Sequence, residues 1–339
     1  TEATITADSV VSGTAQSTST EGSANAVAIV TENAGANTNL INVGGSGSLL
    51  AGATSTQTAT AQTVTLDGTA QALSWSNIGL DADGAVSFGE TGAVQGTATG
   101  TNRATAGSLD EDATATANST ENIGVDASAS FTLGTGGSLK GIASLTNAAV
   151  SRTVGDGIAD GGEDLARALA ANGTVNIGIR ADDATTSFGT TGLVQGTAAS
   201  NNAASATATD GQADADVVLA ESIGIDLGSQ TLVIGSEGRV VAATSGVNKS
   251  TATTIDGDAD ADIQVATGHG LGDGNGVVRI GTDGVLDTDA DFTNTATATA
   301  TDGNDGGTGG VIQAKVDNDS VAAIDLDNLI SGTDLQLDA

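Results

Sequence analysis

The chain contains no cysteine, proline, methionine or tyrosine, and its 339 residues include only one tryptophan, one histidine and four phenylalanines. The absence of cysteine excludes a disulfide framework and any thiolate metal site. A single histidine excludes sites built from two imidazoles. An enzyme cleft or a distinct receptor-binding tip normally needs clustered aromatic or catalytic side chains. We therefore predict that the protein is not an enzyme.

Positive charge is also scarce, because 9 Lys and Arg residues face 42 Asp and Glu residues, for a net charge of -33. Binding to nucleic acid depends on neutralising phosphates with clustered Lys and Arg, so nucleic acid is excluded as a partner. The sequence has no stretch of 18 consecutive apolar residues. A helical membrane span is therefore not predicted.

Glycine is abundant, with 49 residues, and much of it belongs to a motif that recurs six times. The motif consists of a hydrophobic residue, Gly, two small or polar residues, Gly, any residue, and Val or Leu. Its first glycines are separated by 45, 45, 55, 46 and 46 residues, and they are Gly44, Gly89, Gly134, Gly189, Gly235 and Gly281. Self-similarity at such a period indicates a repeat architecture.

Further sequence motifs recur at the same spacing as the glycine motif. A short apolar motif precedes most glycine motifs, as in NIGLD from Asn77 and NIGVD from Asn122, and Asp-Gly pairs mark tight turns. Between them alanine alternates with Thr or Asp, as in ATATANST from Ala113. A period of two is typical of strands, with alanine on the inner face.

These patterns predict an all-β fold, a parallel β-solenoid of about seven repeats of 45 to 46 residues in one domain. Each repeat is long enough for two coils or for one elongated coil. The approximate repeat boundaries are 1–43, 44–88, 89–133, 134–188, 189–234, 235–280 and 281–339.

The interval of 55 residues contains an insertion of about ten residues. Its acidic start at Glu163 and Asp164, the segment LARALAA and the following Gly173 predict a short helix near residues 158–172. The insertion either decorates a loop or forms a lateral contact.

Rows of aspartate are the candidate ligand sites. Stacked strands lie about 4.8 Å apart, where neighbouring carboxylates repel each other unless salt screens them or a hard cation bridges them. Calcium takes six to eight oxygen ligands, so the sequence predicts Ca²⁺ as an optional ligand, while a solvated acidic face remains the alternative. No other cofactor is required. The candidate calcium ligands are Asp210, Asp214, Asp216, Asp256, Asp258, Asp260, Asp262, Asp287, Asp289 and Asp291, and a further acidic group is formed by Asp110, Glu111 and Asp112.

The other unusual side chains have simpler interpretations. Trp75 is predicted to be a packing anchor, and His269, in a glycine-rich segment, is predicted to be a surface residue of a loop.

In its repeat pattern and composition the sequence resembles repetitive acidic β-solenoid, or β-helical, surface, adhesin and filament proteins of bacteria. The resemblance implies an extracellular or cell-surface location. The first and last repeats start and stop in phase without a visible cap, which predicts head-to-tail stacking of identical copies into a filament, fibre or sheath. The alternative is the stalk of an adhesin or phage fibre, with surface glycans or a host surface as partner. A third interpretation is an ice-binding protein, in which rows of Thr-x-Thr would bind ice.

Overall fold

The computed structural model describes residues 3–338, except 44, 129–130, 156–163, 182–185, 189–190, 229–230, 273–276, 302–310, 326–327 and 332–335. Every regular element within these residues is a β-strand. The strands are β1 (Thr4–Thr18), β2 (Ala24–Thr38), β3 (Ile41–Val43), β4 (Ser48–Gln62), β5 (Gly68–Ala82), β6 (Val86–Phe88), β7 (Ala93–Ser108), β8 (Ala113–Ala127), β9 (Phe131–Leu133), β10 (Ser138–Thr153), β11 (Leu165–Arg180), β12 (Thr186–Phe188), β13 (Leu193–Asp210), β14 (Gln212–Asp226), β15 (Thr231–Ile234), β16 (Arg239–Asp256), β17 (Ala259–Leu271), β18 (Val277–Ile280), β19 (Val285–Ala300), β20 (Ile312–Ile324), β21 (Asn328–Ser331) and β22 (Gln336–Asp338).

The strands form three parallel sheets that run the length of the molecule. Sheet A has the order β1-β4-β7-β10-β13-β16-β19-β22, sheet B has the order β2-β5-β8-β11-β14-β17-β20, and sheet C has the order β21-β18-β15-β12-β9-β6-β3. Each of seven coils contributes one strand to each sheet, and β22 adds an eighth strand to sheet A. In sheet A, Ser48 pairs with Ala93 and Ala93 pairs with Ser138, so one coil corresponds to one sequence repeat. The predicted β-solenoid is confirmed, with one elongated coil per repeat.

Alanine builds the narrow part of the core, as its alternation predicted. Ala113, Ala115 and Ala117 of β8 are fully buried and belong to one cluster with Ala104 and Ala106 of β7. Small side chains let the two long sheets approach closely. A second cluster of larger aliphatic residues, including Leu139, Val194 and Leu232, fills the part of the coil that sheet C closes.

The glycine of the NIG motif lies where sheets A and B approach most closely. A Cβ atom at Gly178 would lie 2.4 Å from the backbone N of Thr197 and 2.5 Å from the backbone O of Gly224. The same crowding recurs at Gly79, Gly124, Gly224 and Gly270. Only glycine fits there, because backbone atoms occupy the space that a side chain would need.

Two rows of stacked asparagines cross the interior. In sheet B, Asn33 donates to Asn77, Asn77 to Asn122 and Asn122 to Asn176, at 2.8 to 2.9 Å. In sheet A, a second row runs through Asn102, Asn147, Asn202, Asn248 and Asn294, at 2.8 to 3.1 Å. Each buried amide is therefore paired with an identical group one coil away.

The predicted helix near residues 158–172 is wrong where it can be compared. Residues 158–163 lie outside the described part of the chain, and residues from Leu165 onward belong to strand β11. Ala166, Ala168 and Ala170 stack on Ala113, Ala115 and Ala117, so burial at a period of two outweighs the helix propensity of this segment. The predicted helix stop instead belongs to a bulge, where Ala171 and Gly173 have φ values of 55° and 73°.

The strand register locates the insertion. Paired residues are 45 positions apart from β7 to β10, as in Thr153 and Ser108. The offset rises to 53 for Ala166 and Ala113, to 54 for Val175 and Glu121, and to 55 for Thr186 and Phe131. Most of the extra residues therefore lie between β10 of sheet A and β11 of sheet B.

Candidate functional site: the carboxylate face and His269

Four aspartates come together on the outer surface of sheet B. Asp214 pairs with Asp260 and Asp216 pairs with Asp262 on the adjacent strands β14 and β17. We call these four residues the carboxylate face. Their side chains share a surface because alanines alternate with them and occupy the interior. Sequence alternation thus predicted both the orientation and the stacking of this group.

A basic residue lies in register at either end of the carboxylate face. Arg167 of β11 pairs with Asp214 in register, and its guanidinium Nε lies 3.2 Å from Asp214 Oδ2. On the other side, Lys315 of β20 pairs with Asp262 in register, while its ammonium lies 3.2 Å from Asp317 Oδ2. Two cations therefore flank four carboxylates, which leaves the face with an excess of negative charge.

This crowding shifts the titration of the aspartates. Burial, followed by repulsion from Asp214, raises the pKa of Asp216 to about 7. Burial likewise raises the pKa of Asp214, although Arg167 opposes the shift. The pKa values of Asp260 and Asp262 are also raised, first by burial and then by a neighbouring carboxylate. The carboxylate face consequently holds protons at a pH where an isolated aspartate has lost them.

Two shallow pockets adjoin the carboxylate face. One, of about 230 Å³, is lined by residues that include Asp216, Asp262 and Lys315, and the other, of about 210 Å³, by residues that include Asp214 and Asp260. Oδ1 of Asp260 and Oδ1 of Asp262 are buried atoms that have no hydrogen-bond partner among the described residues. These two oxygens therefore lack the partner that a buried carboxylate oxygen normally has.

The remaining predicted calcium ligands do not join this group. Asp287, Asp289 and Asp291 lie on β19 of sheet A, where they pair with Val241, Ala243 and Ser245 of β16, and Asp287 also pairs with Asp338 of β22. Asp287 forms an ion pair of 2.9 Å with Arg239. Asp210 and Asp256 pair with each other at the ends of β13 and β16.

Turn carboxylates have a structural role where the loops return to sheet B. The backbone N–H of Leu165 donates to Asp112 Oδ1 at 2.8 Å, and that of Val311 donates to Asp258 Oδ1 at 2.6 Å. Both acceptors lie one coil before the donor. Asp258, predicted as a calcium ligand, thus caps the return of the chain to sheet B.

Within the described ranges, no three His, Asp or Glu side chains are arranged to hold one metal ion. Calcium binding therefore stays a prediction from the sequence. The same part of the chain contains no helix long and apolar enough to cross a membrane.

His269 is neither in a loop nor on the surface, contrary to the prediction. It belongs to β17, is 3% exposed, and pairs with Ile223 in register, so it continues a row of buried isoleucines, Ile78, Ile123, Ile177 and Ile223. Its Nε2 lies 2.9 Å from Ser320 Oγ, and its Nδ1 lies 3.6 Å from Asp325 Oδ2. Sequence reasoning missed this cluster because its members are 51 and 56 positions apart.

Two further side chains depart from simple expectation. Trp75 is 55% exposed, so its predicted role as a packing anchor is wrong.

Arg180 bridges Glu121 at 3.2 Å and Asp126 at 2.6 Å, and both acids lie in the preceding coil. These two ion pairs link strands β8 and β11 of adjacent coils on the outer surface of sheet B, in the same region of the coil as His269.

Comparisons of the chain with protein-family models, with curated proteins and with solved structures found no match. The functional argument therefore rests on the residues and the geometry described above.

Proposed function

We propose that the protein is a structural subunit of an extracellular filament, fibre or sheath that assembles by head-to-tail stacking of solenoid coils. The observation that supports this proposal is that the outermost strands of the described stack have a partner strand on one side only. Strands β1, β2 and β3 are the edge strands of sheets A, B and C at one end, and β22, β20 and β21 are their edge strands at the other. An edge strand presents unpaired backbone groups that can pair with another strand.

Side chains at these edges are only partly covered. Ala252 in the interior row of sheet A is fully buried, whereas Ala296 and Ala298 of β19 are only partly buried. Ala15 of β1, which occupies the same row at the opposite end, is likewise partly buried. Each added coil would bury such alanines, and burial of apolar surface yields roughly 25 cal/mol per Å².

Continuing the sheet register across two copies gives compatible rows. Thr4 aligns through successive coils with Val285, so a second copy would place its Ala15 on Ala296, provided that residues 4–6 of that copy take the place of β22, which pairs with Val285–Asp287. In sheet B, the same continuation places Ala24 on Ile312 and Ala28 on Val316. Small residues thus meet apolar residues along both long sheets.

The second candidate is a stalk within a longer adhesin or fibre polypeptide. The same edges would then be covered by neighbouring coils of the same chain, and surface glycans or a host surface would be contacted by another region. Both candidates use the solenoid as a rigid spacer, and they differ in whether separate copies associate.

Electron microscopy of the purified chain, with and without calcium, distinguishes the two. Head-to-tail stacking predicts long filaments of constant width, whereas short monodisperse rods under both conditions would exclude the filament. Ala15→Lys places a charge in the stacking row, and Thr14→Lys places the same charge on the outer face of β1 as a matched control.

The Ala15→Lys variant also reports on its own folding. Because only one end is blocked, it should still dock through its other end and shorten wild-type filaments in mixtures. Filaments formed equally well by Ala15→Lys and Thr14→Lys would contradict stacking through this edge.

A further inference from the structure

The cluster around His269 has the connectivity of a nucleophilic serine site. His269 Nε2 is within hydrogen-bond distance of Ser320 Oγ, at 2.9 Å, and the opposite ring nitrogen faces the Asp325 carboxylate at 3.6 Å. Nδ1 of His269 has no hydrogen-bond partner at ordinary distance among the described residues. A proton on Nδ1 would point toward Asp325, which leaves the Nε2 lone pair to accept the serine proton.

The three residues differ in how deeply they are buried: the histidine is enclosed, whereas the serine and the aspartate are partly exposed to solvent. The imidazole is 4% exposed and is therefore held rigidly, whereas the Asp325 side chain is 46% exposed. Ser320 is half-buried on β20, the edge strand of sheet B. Every second backbone N–H of an edge strand faces away from its neighbour, and in the proposed reaction such groups on β20 would be the donors to a developing oxyanion.

We propose that Ser320 is an activated nucleophile toward carboxylic esters, with His269 as its general base and Asp325 as the positioning residue. This proposal rests on different observations from the filament proposal, but it needs the β20 edge free of a stacked second copy, so the activity is measured on the unassembled chain. It also goes against the expectation from composition, because one histidine suffices when serine and aspartate reach it from the next coil. Serine, histidine and acid in this order recur on unrelated folds, and here the approach of Asp325 to 3.6 Å from Nδ1 is the looser of the two contacts.

The reaction is balanced within the cluster and a water molecule. Ser320 Oγ forms a bond to the ester carbonyl carbon while His269 Nε2 takes the hydroxyl proton. The bond from the carbonyl carbon to the alkoxy oxygen then breaks, and the imidazolium returns the proton to the departing alcohol. Water, deprotonated by His269, hydrolyses the acyl-serine and releases the acid, which restores the Ser320 hydroxyl.

A fluorophosphonate probe tests the nucleophile directly. In this reaction the serine oxygen binds phosphorus, the phosphorus–fluorine bond breaks, and fluoride leaves with the proton. We expect peptide mass spectrometry of the full chain to locate the label on Ser320, at a rate about 100-fold above that of any other serine. Hydrolysis of p-nitrophenyl acetate should show a burst of one equivalent.

Matched variants separate reactivity from folding. Ser320→Ala should abolish labelling, while Ser76→Ala, in the equivalent row of sheet B without a histidine beside it, should leave labelling unchanged. His269→Gln keeps a polar group but removes the base, and should slow labelling about 100-fold. Asp325→Asn should slow labelling, and Asp325→Glu should restore part of the rate while the unfolding free energy of both variants is equal.

Two results would overturn the proposal. One is a Ser320 that reacts no faster than Ser76 in the folded wild-type protein. The other is equal labelling of wild type and His269→Gln, which would assign His269 only to holding adjacent coils together, as Arg180 does between Glu121 and Asp126.

Discussion

The side-chain amide of Asn77 donates a hydrogen bond of 2.8 Å to Oδ1 of Asn122, which lies 45 positions further along the chain. Both residues are fully buried. Asn122 in turn donates to Asn176 at 2.9 Å and to the backbone O of Ser144 at 3.1 Å. A one-residue slip of any strand would leave these amides unpaired in the interior, so the rows of asparagine specify the register that alanine alone would leave loosely defined.

The asparagine row of sheet A has a defect at one end, which predicts a stabilising substitution. Gln57 occupies the row beside Asn102, is fully buried, and has no hydrogen-bond partner for its amide O or N among the described residues. Oδ1 of Asn102 is also unpaired there. Gln57→Asn should supply the missing donor and raise the free energy of unfolding by about 1 kcal/mol, measured by chemical denaturation.

The control for this substitution is Gln71→Asn, on the outer face of β5. It makes the same chemical change at a half-buried surface position and should alter stability by less than about 0.5 kcal/mol. Equal effects at both positions would show that the asparagine row has no energetic role.

The close approach of sheets A and B predicts strong sensitivity at the NIG glycines. In Gly178→Ala the new Cβ would meet the backbone of Thr197 at 2.4 Å, and backbone atoms cannot rotate away. We expect a loss of at least about 3 kcal/mol or failure to fold. Gly107→Ala is the control, because its Cβ would find its nearest neighbour, the backbone O of Arg152, at 3.9 Å. Thermal unfolding of Gly107→Ala should match wild type or improve slightly, and comparable losses at both positions would refute the steric argument.

Much of the fold follows from the sequence, because the repeat period, the strands and the inward alanines are local patterns. The segment from Leu165 was misread since alternating alanines suit a helix and a strand equally, and only stacking on Ala113 decides between them. His269 could not be placed either. Its partners Ser320 and Asp325 reach it only because one coil lies above the next, and that neighbourhood depends on the exact register of β17 and β20, between which the chain forms β18 and β19.

The carboxylate face predicts that stability falls as pH rises toward neutral. Because the pKa of Asp216 is raised from 3.8 to about 7, the folded state binds this proton more tightly than the unfolded chain does. Its favourable contribution is fully present below pH 3.8 and is lost as pH rises through about 7. Asp216→Asn should therefore increase the unfolding free energy more at pH 8 than at pH 5, by on the order of 1–2 kcal/mol.

The charged groups that face Asp216 set the size of this pH-dependent change in the unfolding free energy. They are the carboxylates of Asp214, Asp260 and Asp262 and the guanidinium of Arg167. Asp291→Asn removes one exposed charge from sheet A and controls for the general influence of net charge. A gain for Asp216→Asn that is the same at both pH values would contradict the assignment.

Salt tests whether the carboxylate face is only solvated or also binds calcium. Screening weakens repulsion between the exposed carboxylates, so raising NaCl from about 0.01 to 0.15 M should raise the melting temperature of a chain with charge -33. The calcium prediction adds a specific requirement, since 1 mM CaCl₂ must stabilise the protein more than NaCl or MgCl₂ at equal ionic strength. Calcium prefers several carboxylate oxygens, and Oδ1 of Asp260 and Oδ1 of Asp262 are the unpaired ones. The additional stabilisation should disappear in Asp260→Asn and persist in Asp291→Asn. Equal melting temperatures in the matched salts would leave the four aspartates as a solvated acidic surface whose charge keeps neighbouring solenoids apart.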